Sequence, residues 1–340
     1  MKMKKIMALI MALVLAMSLA ACGQTQGSAV AEPADASSDA GESAAADKVY
    51  NIGVCQLVEH PALDAATQGF QDALKEKLGD SVTFDVQTAQ GDSATCSTIT
   101  NTFASNQYDL IMANATAALQ AAIASTGDIP ILGTSVTDYA TAMDIDDWTG
   151  VTGTNVSGTS DLAPLDQQAE CIKELFPDAQ TIGILYCSAE PNSKYQATVI
   201  TEYLEEMGYS VAEYTFADSN DVASVTQSAS TDCDLIYIPT DNTAANCTEA
   251  IANVVLADGT PVFAGEEGIC KGCGVATLSI SYYDLGYATG EMAYEILVNG
   301  ANPAEMEIQF APNVVKEYNV ANAEALGITI PDDYEAIAEE

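Results

Sequence analysis

The chain has 340 residues, a formal net charge of -39 and no arginine. Nucleic acid is therefore excluded as an expected partner, because affinity for phosphate backbones depends on Lys and Arg side chains that neutralise them. Hydrophobic residues make up 48% of the chain, which is enough to fill the cores of two domains of ordinary size.

The first segment predicts export and attachment to a membrane through lipid. Three lysines precede an apolar stretch from Ile6 to Ala16, and the sequence Leu-Ala-Ala-Cys follows at 19–22. This order is typical of a secretory signal with a small-residue cleavage site, and it resembles a bacterial lipobox. The apolar run is short for a bilayer core of ~30 Å, which disfavours a membrane-spanning anchor. We expect residues 1–22 to be a lipoprotein signal, lipidated at Cys22, on an extracytoplasmic protein anchored to the bacterial cell membrane.

Residues 23–48 are predicted to be a flexible linker. They are mostly Ala, Ser, Gly, Asp, Glu and Gln and contain no aromatic side chain. A segment of this composition cannot bury a core. The folded region should therefore begin near Val49.

The folded region contains an internal repeat. Three apolar strings, NIGV, DLIMAN and IPILGT, recur in the same order about 130 residues later as TIGIL, DLIYIP and TPVFAG. Short β-branched runs separated by helical patterns are typical of buried parallel strands in β-α-β units. The sequence therefore predicts an α/β fold of two similar, doubly wound parallel-sheet lobes joined by a hinge.

Ligands of such sheets bind beyond the carboxyl ends of the strands, so two facing lobes should form a binding cleft. The loops that follow the predicted strands carry hydroxyl, amide and carboxylate side chains: Thr116, Asn192, Ser193 and Asn242, and the acids Glu59, Asp138, Glu190, Asp241 and Glu266. Each position is a helix N-cap first and a ligand contact second. One or two of the acids facing an organic ammonium would explain them, but spacing alone does not rank them.

Catalytic and metal chemistry are not expected. The single histidine, His60, cannot form a typical zinc site, which needs two or more such ligands. No G-x-S-x-G pattern accompanies it, so a nucleophile elbow is absent from the sequence. Because arginine is also absent, a bound carboxylate should be held by backbone N–H groups or hydroxyls at helix N-termini. We predict a binding protein rather than an enzyme, with no cofactor and no metal.

Eight cysteines remain besides Cys22. An even number outside the cytoplasm permits disulfides, although Cys55, Cys187 and Cys233 lie in or beside apolar strands, where a free thiol packs as a small hydrophobe. The single C-x-x-C pair, Cys270 and Cys273, precedes no helix of the thioredoxin kind. A local disulfide or inert thiols are favoured over a redox role.

Several longer blocks carry a family resemblance. They are QLVEHPALDAATQGFQDAL at 56–74, TSVTD at 134–138, NVSGTSD at 155–161, SAEPNS at 188–193, YIPTDN at 237–242 and SYYDLG at 281–286. With them, residues 50–331 resemble the ABC transporter substrate-binding family that includes the tryptophan- and tyrosine-binding TrpX-type lipoproteins. The resemblance implies a type I periplasmic-binding fold that closes around one solute. Tyr139 and Ala117 stand where a proline is usual in that family, and both departures touch the predicted cleft.

The resemblance also implies three crossings between the lobes. The glycines and hydroxyl residues of 150–157 suit the first crossing, and the chain should cross again near 279–283 and 311–315. The predicted N-terminal lobe is 49–154 plus 282–311, and the predicted C-terminal lobe is 155–281 plus 312–335. The stretch from Asp284 to Asn299 should then pack on the first lobe.

The function implied is a monomeric, lipid-anchored receptor that delivers an aromatic or other apolar amino acid to an ABC permease, with closure selected by the ligand. The expected contacts are Thr116, Ser135 and Thr137 for the carboxylate, Asp138 or Asp241 for the ammonium, and Leu57, Tyr139 and Tyr282 for the apolar side chain. Each of these walls could equally be ordinary packing. Two alternatives stay open: a sensory subunit that reports to a membrane kinase, and a thiol oxidoreductase that uses the C-x-x-C pair.

Overall fold

The computed structural model describes residues 48–311 and 313–338. The predicted signal, the lipobox cysteine Cys22 and the linker up to residue 47 lie outside the described residues. None of the helices in the described part of the chain is long and apolar enough to cross a membrane. The described residues belong to one compact unit.

Thirteen strands and twelve α-helices form this unit in the described part of the chain. The strands are β1 Tyr50–Gln56, β2 Val82–Thr88, β3 Leu110–Asn114, β4 Ile131–Thr134, β5 Val156–Ser160, β6 Thr181–Cys187, β7 Ser210–Phe216, β8 Leu235–Ile238, β9 Val262–Ala264, β10 Ala276–Ile280, β11 Gln309–Phe310, β12 Val314–Tyr318 and β13 Glu335–Ala336. The helices are α1 Pro61–Leu78, α2 Ser93–Ser105, α3 Thr116–Ser125, α4 Tyr139–Met143, α5 Leu165–Leu175, α6 Pro191–Glu206, α7 Val222–Asp232, α8 Asn242–Ala245, α9 Thr248–Asp258, α10 Glu267–Cys273, α11 Tyr282–Asn299 and α12 Val320–Leu326.

The strands form two sheets with matching topology. The first has the order β11-β5-β4-β3-β1-β2 and the second β13-β12-β10-β9-β8-β6-β7. The repeated core, in which the first strand of a lobe lies between the second and the third, is parallel in both. In the second sheet β12 runs antiparallel to β10. The predicted α/β fold of two similar doubly wound lobes is confirmed.

Alternation along β1 shows why helices cover both faces of the first sheet. Ile52 and Val54 are fully buried in a core shared with α1 and α11, whereas Cys55 is buried in a second core with α2 and α3. A strand with apolar side chains on both faces can lie only inside such a sandwich. This burial fixes the register of β1, so the loop that follows it emerges at the carboxyl edge of the sheet.

The first crossing between the lobes lies later than predicted. β5 pairs with β4 in the first sheet, with Ile131 opposite Val156, so the chain crosses in 161–164. The prediction placed the lobe boundary after residue 154, but the sheet pairing assigns β5, which begins at Val156, to the first lobe. Gly150 and Gly153 misled the prediction: their positive φ angles of 92° and 68° belong to bends before β5 and not to a hinge. The other crossings lie between β10 and α11 and between β11 and β12.

Helix α11 returns to the first lobe and packs closely along α1. Glycines make this contact possible. A Cβ atom on Gly286 would overlap the backbone carbonyl of Ala66, and one on Gly290 would lie 2.6 Å from the Cβ of Ala73. The two backbones therefore approach too closely for any side chain at these positions. Their contact places Tyr282, the first residue of α11, at the cleft.

Candidate functional site

The carboxyl ends of the two sheets enclose a small, narrow cavity, which we call the inner cavity. Both lobes and two crossings contribute to its wall. The lining residues are His60, Ala62, Leu63, Ser135, Asp161, Asn192, Thr240, Asp241, Asn242, Ala245, Glu266 and Tyr282. The site lies where strand topology predicts a ligand to bind in an open α/β sheet.

A wider groove, which we call the outer groove, lies between the lobes next to the inner cavity. Asn192 and Asn242 line both spaces. Leu57, Val58 and Pro191 provide apolar surface in the outer groove. The predicted residues Leu57, Glu190, Asn192 and Asn242 thus lie at the cleft.

The two lobes touch directly across this cleft. His60 Nε2 of the first lobe lies 3.2 Å from Asn242 Oδ1 of the second. Gln196 Nε2 of α6 donates to Thr137 Oγ1 over 3.5 Å. Because each of these bonds joins one lobe to the other, they describe a closed arrangement of the lobes.

Asp161 in the first crossing is the acid that the sequence prediction missed. Its side chain is 3% exposed, and its carboxylate accepts hydrogen bonds from Thr137 Oγ1 at 2.9 Å and from Tyr282 Oη at 3.0 Å. Burial raises the pKa of Asp161, and the two hydroxyl donors lower it in part. Its position at the end of the NVSGTSD block, directly after β5, could have identified Asp161 as a strand-end residue. It was missed because the first crossing was predicted at 150–157, before this residue.

Asp241 and Glu266 also line the inner cavity, but both are helix N-caps. Asp241 accepts from the backbone N–H groups of Cys187 and Ala244 at 2.7 Å each. Glu266 accepts from the backbone N–H groups of Gly268 and Ile269. Burial raises the pKa of both carboxyls, and the nearby Glu190 adds to the effect at Asp241. Their first role is structural, as the sequence prediction allowed for any acid at these positions.

Glu266 should make the stability of the ligand-free protein depend on pH. Burial raises its pKa to about 7 in the folded state, so the folded protein binds this proton more tightly than the unfolded chain does. The contribution is therefore fully present below about pH 4 and is lost as the pH rises through about 7. We expect Glu266→Gln to flatten the fall in melting temperature over that range, measured by calorimetry. A variant with the wild-type slope would contradict this assignment.

The first lobe offers donors without protein partners. Helix α3 begins at Thr116, and the preceding Ala115, with φ of 90°, has no side chain that could cap the helix. Thr116 Oγ1 and Ser135 Oγ are buried and have no hydrogen-bond partner among the described residues. Buried hydroxyls are normally satisfied. An uncapped helix N-terminus beside free hydroxyls is suited to an anionic group.

Other predicted residues lie outside this set of contacts. Glu59 is exposed. Asp138 caps α4 by accepting from the backbone N–H of Thr141 at 2.7 Å, and it lines neither cavity nor groove. Glu190 accepts from the backbone N–H groups of Asn242 and Thr243 and so supports the start of α8. Ser193 is fully buried next to the backbone carbonyl of Thr240.

Tyr139 lies in the core of the first lobe and is not a wall of the cleft. Its hydroxyl donates to the carbonyl of Thr159 at 3.1 Å in the space left by Gly133 and Gly158. We expect Tyr139→Phe to lower the free energy of unfolding by about 1 kcal/mol, because one buried hydrogen bond is lost. Affinity for the ligand should not change. Urea denaturation measures the free energy of unfolding, and calorimetric titration measures the affinity. A tenfold loss of affinity would show that Tyr139 contributes to the binding site.

The cleft is electrostatically one-sided. Asp161, Asp241 and Glu266 line the inner cavity, whereas no lysine lines the cavity or the groove in the described residues. Cys270 and Cys273 are buried free thiols whose pKa values are raised by desolvation. A raised pKa suppresses the thiolate that redox chemistry needs.

The three carboxyl groups of the inner cavity, with no lysine in the described lining, make the site suited to hold a polar solute with a cationic group.

Two α/β lobes that close over a polar cavity define a two-lobed solute-binding protein of the type I periplasmic-binding class. The chain matches the model of the ABC transporter substrate binding protein family over residues 51–340, and it belongs to that family. The resemblance identified in the sequence blocks is thereby confirmed. Members of this family bind solutes without chemical conversion, so the chain is a substrate-binding protein and not an enzyme.

Three relatives are informative. A tyrosine-binding protein of Clostridioides difficile is 38% identical over 87% of this chain and 85% of its own length. A Streptococcus pneumoniae domain in complex with L-Trp is 33% identical, covers 85% of this chain and all of that chain, and has a TM-score of 0.81. A ligand-free, open substrate binding protein with adhesive properties from Clostridium difficile is 38% identical, covers 86% of this chain and all of that chain, and has a TM-score of 0.67.

The order of these TM-scores agrees with the contacts across the cleft. The present structure is more similar to the L-Trp complex than to the open, ligand-free protein, although its sequence is more similar to the latter. A closed arrangement of the present lobes would give a difference in this direction, because the ligand-free relative is open. The structure thus shows the arrangement in which the cavity walls meet.

Proposed function

We propose that this protein is a lipid-anchored, extracytoplasmic receptor that binds an aromatic amino acid and delivers it to an ABC importer. One observation carries the proposal. It is supported by a buried carboxylate, Asp161, that lines the same cavity as the unpartnered hydroxyl of Ser135, and by the uncapped N-terminus of α3, whose Ala117 lines the adjoining groove. These groups complement the ammonium and the carboxylate of an amino acid zwitterion.

Asp161 is the proposed partner of the ammonium. It is buried without a cationic side chain in the cavity wall, and its hydrogen bonds come from neutral hydroxyls. A buried charge without a counter-ion is unfavourable, and a ligand cation would supply one. The three buried acids of the cavity also disfavour ligands with net negative charge. We therefore propose Asp161 for the role that the sequence analysis gave to Asp138 or Asp241: Asp138 caps α4 and is not part of the cavity lining, and Asp241 caps α8.

The N-terminus of α3 is the proposed partner of the ligand carboxylate. Its first N–H groups have no side-chain cap, and Thr116 Oγ1 and Ser135 Oγ could each donate one further hydrogen bond. Helix N-termini bind anions through their free N–H groups and the helix dipole. This arrangement serves a carboxylate in a chain without arginine.

An aromatic side chain is favoured by the relatives and by the outer groove. One relative is named a tyrosine-binding protein and another was solved with L-Trp. Leu57, Val58 and Pro191 offer apolar surface beside the cavity. Isothermal titration with the twenty amino acids tests the assignment. Selective binding of Trp, Tyr or Phe supports it, and binding confined to a sugar, a nucleoside or a charged amino acid would overturn it.

The anchor and the importer need tests in cells. We expect Cys22→Ser to abolish metabolic labelling by a fatty acid and to release the protein from the membrane fraction, because the lipid attachment site is lost. Deletion of the gene should reduce uptake of the radiolabelled amino acid, and expression of the wild-type protein should restore it. Normal uptake in the deletion strain would instead favour a sensory role.

A further inference from the structure

His60 is a buried group of the inner cavity that the sequence prediction left without a role. It ends the loop after β1, its side chain is 8% exposed, and it lines the cavity. As the residue before α1 it caps nothing with its side chain. It is the single histidine among the 340 residues.

Its hydrogen bond defines the tautomer of the imidazole. Asn242 Nδ2 donates to Glu190 Oε2 at 2.7 Å, so the oxygen Oδ1 of Asn242 faces His60 Nε2 at 3.2 Å. An amide oxygen only accepts, and Nε2 must therefore carry the proton. Burial lowers the pKa of His60, although Asn242, Glu190 and Asp64 raise it in part. The ring is thus neutral at pH 7, and Nδ1 carries a lone pair.

That lone pair has no partner among the residues that the structure describes. A buried acceptor without a donor costs free energy, and native proteins normally satisfy it. The other polar side chains of the cavity wall are Ser135, Asp161, Asn192, Thr240, Asp241, Asn242, Glu266 and Tyr282. None of them donates to Nδ1: the Ser135 hydroxyl is itself without a partner, and the hydrogen bonds of Tyr282 and of the three carboxyls go to other atoms.

We propose that His60 senses the ligand with one nitrogen and latches the lobes with the other: Nδ1 accepts a hydrogen bond from an N–H or O–H group of the bound amino acid, while Nε2–H donates to Asn242 across the cleft. This inference rests on the proposed function and adds a specificity-determining residue to it. One ring then connects the ligand to both lobes, so ligand binding and closure stabilise each other.

The proposal predicts a pH dependence of affinity. A protonated imidazole has donors on both nitrogens and can no longer accept from the ligand. Affinity should fall as acid protonates His60, at a pH below the ordinary value for histidine because of its burial. The carboxyl groups of Asp64 and Glu190 near the ring, and the three carboxyls of the cavity, are present in every variant of His60. Their contribution is therefore removed by comparing wild-type protein with His60→Gln.

Nitrogen NMR of the wild-type protein is the decisive experiment. Because His60 is the single histidine, untagged ¹⁵N-labelled protein without the signal peptide gives one set of imidazole signals. We expect the neutral Nε2–H tautomer at pH 7, and a shift of the Nδ1 signal toward that of a hydrogen-bonded nitrogen on addition of L-tryptophan or L-tyrosine. An Nδ1–H tautomer, a protonated ring at pH 7, or binding of the ligand without a shift of Nδ1 would overturn the inference.

The variant His60→Gln provides a second measurement. Its amide can still donate to Asn242 but offers no acceptor at the place of Nδ1. We expect affinity at pH 7 to fall about tenfold, which corresponds to one lost hydrogen bond, and the loss of affinity in acid to be smaller than in the wild-type protein. Equal affinities, or identical pH profiles, would contradict the proposal. If wild-type protein binds neither amino acid, the proposed function fails and the ligand contact of His60 fails with it, while the ligand-free spectrum still decides the tautomer and the latch.

Discussion

Replacing Asp161 by asparagine should weaken binding of the proposed ligand, an aromatic amino acid, at least 30-fold. The carboxylate is buried, faces the inner cavity and has no cationic partner in the described residues. Loss of one member of a buried, hydrogen-bonded charge pair typically costs 2–5 kcal/mol of binding free energy, roughly 30-fold to several thousand-fold in affinity. Isothermal titration at pH 7 measures the change.

Asp138→Asn is the matched control for this experiment. It makes the same chemical change a short distance away, at an acid that caps α4 and lines neither the cavity nor the groove. Asparagine caps helices about as well as aspartate, so stability should change little. We expect wild-type affinity. A large loss for Asp138→Asn together with normal binding by Asp161→Asn would reverse the assignment of the ammonium partner.

The stability of Asp161→Asn shows whether weak binding comes from the missing ligand contact or from unfolding of the variant. Because burial raises the pKa of Asp161, the ionised carboxyl is disfavoured in the ligand-free folded state. A neutral amide removes that desolvation cost. The ligand-free variant should therefore unfold at a temperature no lower than the wild type. A variant that binds poorly because it is unfolded would fail this check.

Replacing Gly286 by alanine should lower the free energy of unfolding by about 3 kcal/mol, at the upper end of overpacking effects. The added Cβ would overlap the backbone carbonyl of Ala66, and backbone cannot move aside as a flexible side chain can. Helices α1 and α11 must then separate. Urea denaturation of the ligand-free protein measures the loss.

Gly127→Ala is the control, because a Cβ atom at this exposed position meets nothing within 4 Å and its φ is not positive. It should be neutral or slightly stabilising. Gly286→Ala should also weaken ligand binding, since α11 positions the hydroxyl of Tyr282 that donates to Asp161. Equal stability of the two variants would show that the helix pair can relax.

Much of the fold could be predicted from the sequence because the repeated apolar strings coincide with the buried strands of the two sheets. Strands such as β3 and β8 are buried throughout, and all of their residues except Asn114 are hydrophobic, as is typical of buried parallel strands. The lobe boundary was harder to predict because a hinge and a surface turn use the same residues. Gly150 and Gly153 bend the chain before β5, whereas the crossing that contains Asp161 has no glycine.

The candidate site was predicted in part for a similar reason. A strand-end position indicates that a side chain can reach the cleft, but the direction it points depends on the local turn. Ser135 and Tyr139 follow the same strand, yet one lines the cavity and the other fills the core. Asp241 and Glu266 do line the cavity while capping helices. Only the three-dimensional contacts separate these roles.

The modest bonds between the lobes have a consequence for release. His60 with Asn242 and Gln196 with Thr137 join the lobes through neutral hydrogen bonds, each contributing on the order of 1 kcal/mol. Converting an almost fully open population into an almost fully closed one takes about 5.5 kcal/mol. For a ligand-free population that is almost fully open, these two bonds are too weak to close the lobes, and the bound solute would supply most of the difference. A partner that spreads the lobes would work mainly against the solute's own contacts, so the act of opening would also unload the cargo.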